Sequence, residues 1–358
     1  MIQFIYMDFK QLNKRQELIL ALIGEQENSS VSEIILEMSV QFKDISRITI
    51  IRDLNYLIGL DFIERFGKGR AVVYKLSLKF NLLKPIDTDK YFKISPDKRK
   101  SRSKFNFDLL NNFKNIFNKD EKKYLADFLI KYKKNIKKIS KDILKSEFER
   151  LTIELSWKSS SIEGNTYTLL ETESLIRYGK KAKGHKKAEA EMILNHKIAL
   201  DYIRKNFNSF KNISISKIED IHCLLMKNLG IKLGLRKLPV GITGTIYRPL
   251  DNIYQIREAL EFACKIVNKE KDVFSKALIL ILIISYIQPF NDGNKRTSRF
   301  SANAILMAYN ICPLSYRSVD EGEYKKAMIL FYEQNNLSYF KKIFIEQFEF
   351  ATKNYFLV

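Results

Sequence analysis

The chain has 358 residues, 62 Lys or Arg against 41 Asp or Glu, and a formal net charge of +21. That length carries two or three domains with buried cores, and a composition 46% hydrophobic excludes a disordered or low-complexity chain. Three widely spaced cysteines, Cys223, Cys264 and Cys312, exclude a disulfide scaffold, and with the scattered His185, His196 and His222 they offer no zinc-ligand spacing.

Residues 12–24 have helical periodicity, Ser29 to Glu33 offers helix-start residues, and 46–57 reads as an amphipathic helix with Arg47 and Arg52 outward. Two short apolar strands, 62–66 and 71–76, flank a basic glycine tip, Gly67-Lys68-Gly69-Arg70. Three helices followed by a basic two-stranded wing resemble a winged helix-turn-helix of the DeoR-like kind, expected over residues 1–79. The resemblance implies DNA contact through Arg47, Thr49 and Arg52 on the recognition helix, in the major groove, and through Lys68 and Arg70 of the wing on phosphates. Winged helices also serve as protein docking units, and this helix carries few base-reading side chains.

Residues 79–145 hold twenty Lys or Arg against eight Asp or Glu, a local excess that codon bias toward lysine does not explain by itself. The part from 80 to 104, with two prolines and the cluster Lys98-Arg-Lys-Ser-Arg102, reads as a basic linker, and helical periodicity returns from 105. Those lysines fit a solvated helix face or an extended nucleic-acid footprint. Further on, 234–249 alternates apolar residues between glycines and prolines, the pattern of a short β-hairpin in a helical region. Residues 277–287 form an apolar run of eleven, a core helix too short to span a bilayer, so no membrane association is expected. With no signal peptide and with cysteines that read as buried thiols of a reducing compartment, a cytoplasmic protein is expected.

The most informative stretch is 288–299, Gln-Pro-Phe-Asn-Asp-Gly-Asn-Lys-Arg-Thr-Ser-Arg, set between that run and a helical pattern over 297–309. Gly293 lets backbone approach a ligand, and a turn opening a helix aims free N–H groups and the positive dipole end at an anion. Lys295, Arg296 and Arg299 add cations suited to phosphate oxygens, and the Asp292 carboxylate is a hard ligand for Mg²⁺. An ordinary polar loop with a solvated basic helix start is the plain alternative.

Eleven of these twelve positions fit the signature of the Fic (filamentation induced by cAMP) or Fido family, which includes the Doc toxins: His-Pro-Phe-x-Asp/Glu-Gly-Asn-Gly/Lys-Arg-x-x-Arg. The exception is Gln288, where the family has its histidine. The resemblance implies a mainly α Fic-fold bundle with a β-hairpin flap over 105–358, its core at 185–350. It also implies transfer of AMP from Mg²⁺-bound ATP to a hydroxyl of a protein target, the histidine serving as general base. Gln cannot titrate, so position 288 lacks that base.

By the same resemblance, residues 159–166 match the family's inhibitory helix motif, here near 155–170, with Ser159, Glu163 and Gly164 in place and Glu163 paired to Arg299. Val240, Gly241, Ile242, Thr243, Gly244 and Thr245 would form the target-binding strand of the flap. Asp292 would hold the metal, Gly293, Asn294, Lys295, Arg296 and Arg299 the phosphates, and Phe290 would anchor the loop. Tyr324 stands where an aromatic often meets the adenine. Lys295 agrees with the Doc-like variant, whose members transfer phosphate. Three readings follow: an autoinhibited adenylyltransferase weakened by Gln288, a Doc-like phosphotransferase, or a DNA-binding regulator whose inactive Fic domain senses nucleotide. A homodimer is expected too, since both module types often pair.

Overall fold

The structure, a computed structural model, describes residues 12–26 and 28–357. It is mainly helical and has two compact units, one of residues up to Ile86 together with Gln334–Ser338, the other of Asp87–Glu333 and Tyr339–Val358.

In the first unit, α1 (Lys14–Gln26), α2 (Val31–Gln41) and α3 (Arg47–Gly59) pack beside a three-stranded antiparallel sheet ordered β1 (Ser29–Ser30), β3 (Val73–Leu76), β2 (Ile63–Phe66). Serines start two of the helices. The Ser30 hydroxyl accepts from Glu33 N at 3.2 Å while Glu33 accepts from Ser30 N at 2.7 Å, a reciprocal capping box. The Ser46 hydroxyl likewise accepts from Thr49 N at 3.2 Å. Ile19, Ile23, Ile50, Leu54, Leu57 and Phe62 fill the core. Asp53, buried on α3, accepts from Arg15 and from Gln16 Nε2 of α1, which fixes the two helices together. At the tip between β2 and β3, Gly67 has φ +83 and a Cβ there would lie 2.3 Å from the Ala71 carbonyl oxygen, so the turn requires glycine.

The stretch read as a basic linker contains two helices and a 3₁₀ turn. Helix α4 (Leu78–Leu83) buries Phe80 and Leu82 in the first unit. Helix α5 (Thr88–Phe92) and a 3₁₀ turn at Pro96–Lys98 belong to the second, where the Arg99 guanidinium lies 4.9 Å from the Phe92 ring centre and pairs with buried Glu333 at 3.1 Å. A buried ion pair with aromatic cover is what fixes a segment that charge alone would leave solvated.

The second unit is built around α12 (Val273–Ile287) and α13 (Asn294–Ala308). Every residue of α12 after Val273 is buried, as is every residue of α13 except Lys295. A helix apolar all round must be enclosed, and the enclosing elements are chiefly α9 (Lys187–Lys205), α10 (Ile215–Met226) and α11 (Ile253–Lys269). The long α6 (Lys119–Ile136) and α7 (Lys141–Ser161) precede this layer, with α8 (Leu169–Tyr178) between, and α14 (Glu321–Gln334) and α15 (Ser338–Asn354) follow it.

The hairpin expected over 234–249 is absent. No strand occurs there among the described residues, and its backbone pairing is a parallel bridge between Lys104 and Arg248. The cause is Arg236, 1% exposed, which stands in for a strand ladder: Nη1 donates to Leu238 O at 2.8 Å, Nε to Gln288 O at 2.6 Å, and Nη2 to Leu250 O. One guanidinium thus ties both arms of the loop to the end of α12.

Because α12 is enclosed on all sides, Leu280→Ala should destabilise the second unit by about 2–5 kcal/mol, whereas Leu170→Ala at an exposed position should stay within about 0.5 kcal/mol of wild type. Urea midpoints at constant m-value measure both.

Candidate active site

Helix α12 stops at Gln288, which takes the left-handed conformation (φ 50, ψ 59) and whose N–H caps Ile284 O at 3.0 Å. Its side chain turns back on its own helix, Nε2 donating to Ser285 O at 2.6 Å. Phe290 is fully buried and anchors the loop, its ring stacked 3.7 Å from that of His222 on α10. His222 Nε2 donates to Asp292 O at 3.0 Å, so its proton sits on Nε2; burial pushes its pKa down to about 4. The Asn294 side chain is engaged within the loop. Its Oδ1 accepts from Phe290 N at 2.9 Å and its Nδ2 donates to Phe290 O at 2.8 Å, so it staples the turn shut because both amide atoms are already satisfied.

Gly293 opens α13 with φ +78, and a Cβ there would lie 2.5 Å from Met226 Cε. Glycine is therefore the residue that lets the first N–H groups of α13 open toward a cavity at the positive end of a buried helix. Arg296, one turn in, pairs with the exposed Asp292 at 2.9 Å, yet its buried Nε and Nη1 have no protein partner. Arg299 is fully buried: Nε donates to Ser159 Oγ at 3.1 Å, Nη2 to Ser159 O and to Glu163 Oε1, each at 2.9 Å, and the guanidinium lies 5.3 Å from the Tyr324 ring centre. Glu163 reaches a second cation, Lys295, at 3.4 Å. Burial by itself would raise the Glu163 pKa, but Arg299, Lys295 and Arg296 together bring it down to about 2.

A cavity of about 460 Å³ opens beside these groups. Glu163, Gly164, Gln288, Asp292, Gly293, Asn294 and Lys295 line it, with Val240, Gly241, Ile242 and Thr243 of the loop opposite. Gly244 and Thr245 lie beyond that lining. Tyr324 does not offer a face to a base: it is fully buried between Arg299, Tyr316 and Phe340, because the cation it covers lies inside the protein. The apolar wall comes instead from the next turns of α14, through Met328, Ile329 and Tyr332, with Lys325 at the edge. Their spacing, 325, 328, 329 and 332, is one helical face and was there to be read; Arg236 and His222 carried no such periodic signal. No histidine lines this cavity.

In the first unit Arg47, Arg52, Lys68 and Arg70 are all exposed, and Thr49 is half-buried with its hydroxyl 2.9 Å from that of Ser46. Exposed Ile48 shares α3 with them.

Residues 212–306, which contain the whole 288–299 loop, match the Fic/DOC family. This chain carries a Fic/DOC domain. Proteins named protein adenylyltransferase Fic from Nematostella vectensis and Drosophila melanogaster are each 26% identical to it over 174 residues, 47% of this chain and 40% and 35% of theirs. The chain thus spans under half the length of the curated relatives it matches. Two solved structures share the fold at 20% identity. Fic-1 from C. elegans has a TM-score of 0.55 over 66% of this chain and 72% of its own, and a Fic domain containing signaling protein from Bacteroides thetaiotaomicron has 0.53 over 64% and 96%. No helix among the described residues is long and apolar enough to cross a membrane.

Two histidines of the second unit are held neutral by burial, His222 with a pKa of about 4 and His196 of about 3. Unfolded, both titrate near 6.5. The unfolded chain therefore binds more protons below that pH, and stability should fall as pH drops from about 6.5 toward 4, by up to about 2.7 kcal/mol per pH unit from the pair. Below about 4.5, loss of the Glu163 charge, present as a stabilising term only above its unfolded value, should add to the fall down to about pH 2. Urea titrations across pH 4–7 on wild type and His222→Gln should show a shallower slope in the variant.

Proposed function

We propose that this domain binds Mg²⁺-ATP with its phosphates at the N-terminus of α13 and transfers AMP to a hydroxyl side chain of a protein target, a reaction that Glu163 restrains and Gln288 slows. One observation carries the reading. The Glu163 carboxylate rests on Arg299 and Lys295 beside a glycine-opened helix start, an anion seated among cations where a phosphate group would be held. Buried donors without a partner, on Arg296 and on Arg299 Nη1, are an unfavourable arrangement that a bound phosphate would relieve.

The exposed Asp292 carboxylate suits Mg²⁺, which takes one or two carboxylates along with water and substrate phosphates and would neutralise phosphate charge there. Met328, Ile329 and Tyr332 give the base an apolar wall, and the 240–243 backbone faces the target. The incoming hydroxyl would bond to the α-phosphorus as the bond to pyrophosphate breaks. Its proton has no imidazole to go to, because Gln288 does not titrate and His196 and His222 are committed elsewhere. Water or a phosphate oxygen must take it, and the native rate is correspondingly low. Lys295, shared with Doc-like members, supports the alternative of a reversed nucleotide and phosphate transfer.

Incubation with ATP labelled at the α- or γ-phosphate tests these roles. Glu163→Gly with Gln288→His should place α-label on protein, about 10²–10⁴-fold faster than Glu163→Gly alone; γ-label instead would mean phosphate transfer. No labelling in a double variant that binds ATP would leave a nucleotide sensor, and unaltered ATP affinity in Arg296→Ala would remove the phosphate site itself.

A second role belongs to the first unit, where we propose a winged helix that contacts nucleic acid in the cytoplasm. Its support is the exposure of Arg47 and Arg52 on α3 and of Lys68 and Arg70 on the turn between β2 and β3. Removing Arg47 and Arg52 together should weaken duplex DNA retention and reduce the slope of log affinity against log salt by about 2. An unchanged slope rules the contact out.

A further inference from the structure

The loop that faces the cavity gets its partner from a segment 145 residues earlier. Residues 99–104 meet 244–248 at two places. Arg99 Nη1 donates to Gly244 O at 3.2 Å and, four residues on in both segments, Arg248 N donates to Ser103 O at 2.9 Å, next to the parallel bridge of Lys104 with Arg248. Arg99 is itself fixed from several sides. Its Nη1 donates to both Glu333 oxygens at 3.1 and 3.2 Å, its Nε to Ile94 O at 2.9 Å, and the guanidinium rests on the Phe92 ring. Tyr91 Oη donates to Glu333 at 2.6 Å, and Arg102 N donates to Glu333 O at 2.9 Å. Glu333 is fully buried and follows Tyr332, a wall of the cavity, on α14. One guanidinium therefore joins the tip of the loop to the helix on the other side of the cavity.

We propose that Arg99 is a positioning residue for residues 240–245: by holding the Gly244 carbonyl against the Glu333 side of α14 it sets the height of this loop over the cavity, and with it the grip on a polypeptide target. The loop has no strand ladder of its own, so its backbone geometry depends on such outside contacts. Gly244 contributes little else, with φ +86 and, were it to carry a Cβ, only Ile329 Cδ1 within reach at 3.4 Å. Arg99 touches neither the phosphate loop nor Glu163, so nucleotide binding is independent of it. The statement about target grip rests on the adenylyltransferase reading, whereas the statement about loop height does not.

Arg99→Gln alone leaves Glu333 buried without a cation, which risks unfolding, so the informative protein is the full chain carrying Arg99→Gln with Glu333→Gln. Hydrogen exchange should quicken at amides 241–245 by about tenfold or more, with amides of α13 unaltered and Mg²⁺-ATP affinity within about twofold. In the Glu163→Gly, Gln288→His background, with a mixture of random Ser- and Thr-containing peptides as probe, the peptide KM should rise about fivefold or more while kcat stays within about twofold. Unchanged exchange at 241–245, or exchange quickened equally in α13, overturns the positioning role. Faster loop exchange with an unchanged peptide KM overturns the link to target grip. Absence of transfer in every variant refutes the adenylyltransferase reading and leaves the exchange result to decide for Arg99.

Discussion

A guanidinium taken wholly out of water is tolerable only if its charge is answered on the spot, since the desolvation cost is several kcal/mol per ion. Arg299 imposes that constraint on the second unit. Ser159 answers it with a hydroxyl and a carbonyl, Glu163 with a carboxylate, and Tyr324 with a ring face. These partners come from the end of α7 with the turn after it and from α14, so two segments far apart in the chain are brought to one atom group on α13. Gly164, at φ +92, lets the chain turn away directly after Glu163. The last turn of α7 is tied to α14 a second time, where Glu321 accepts from Ser161 and from Lys158 at 3.2 Å. Any movement that withdraws Glu163 from Arg299 must leave the cation another anion, and that requirement couples the position of α7 to whatever occupies the cavity.

Much of this was legible in the sequence because it is written in local pattern. The α12 and α13 helices follow from an unbroken apolar run and a periodic continuation, and the joint between them from a glycine with cations at helical spacing. The cap at Ser30 followed from residue type alone. The partnership of Glu163 with Arg299 spans 136 residues, and no spacing rule predicts it; it could be named only because two short motifs resembled one family together.

What was misread failed for identifiable reasons. Alternating apolar residues and glycines over 234–249 are the pattern of a hairpin, but whether a segment pairs with itself depends on what else can satisfy it. Here Arg236 and the 99–104 segment do so. Tyr324 sits on the expected helix at the expected place, yet a buried cation claims its ring, and the cavity wall falls to residues one and two turns later. Asn294 was assigned to phosphate by the family resemblance, while its amide bonds the Phe290 backbone and closes the turn. The stretch 80–104 was read as a linker because net charge was counted without noticing that Arg99, its one buried cation, had aromatic neighbours at 91 and 92 and a glutamate at 333 to receive it.

The remaining question is why a loop so complete should end in glutamine. Gln288 occupies a left-handed position with its carbonyl bonded to Arg236 and its amide nitrogen to Ser285 O. Those bonds use the backbone and one side-chain donor, and they fix the terminus of α12 without drawing on any group that titrates. The other two imidazoles of this region are likewise used as neutral spacers: His222 stacks on Phe290 and holds the Asp292 carbonyl, and His196 sits among Ser160, Ser156 O and Phe300. The electrostatic consequence is a site rich in fixed cations and backbone donors with no proton acceptor tuned near neutrality. On the reading proposed above, such a site would bind and orient an anion without a base, since anion recognition would draw on Gly293, Lys295, Arg296 and Arg299. On that reading binding and turnover would be separable at a single side chain, with position 288 free to change while the rest of the loop is kept.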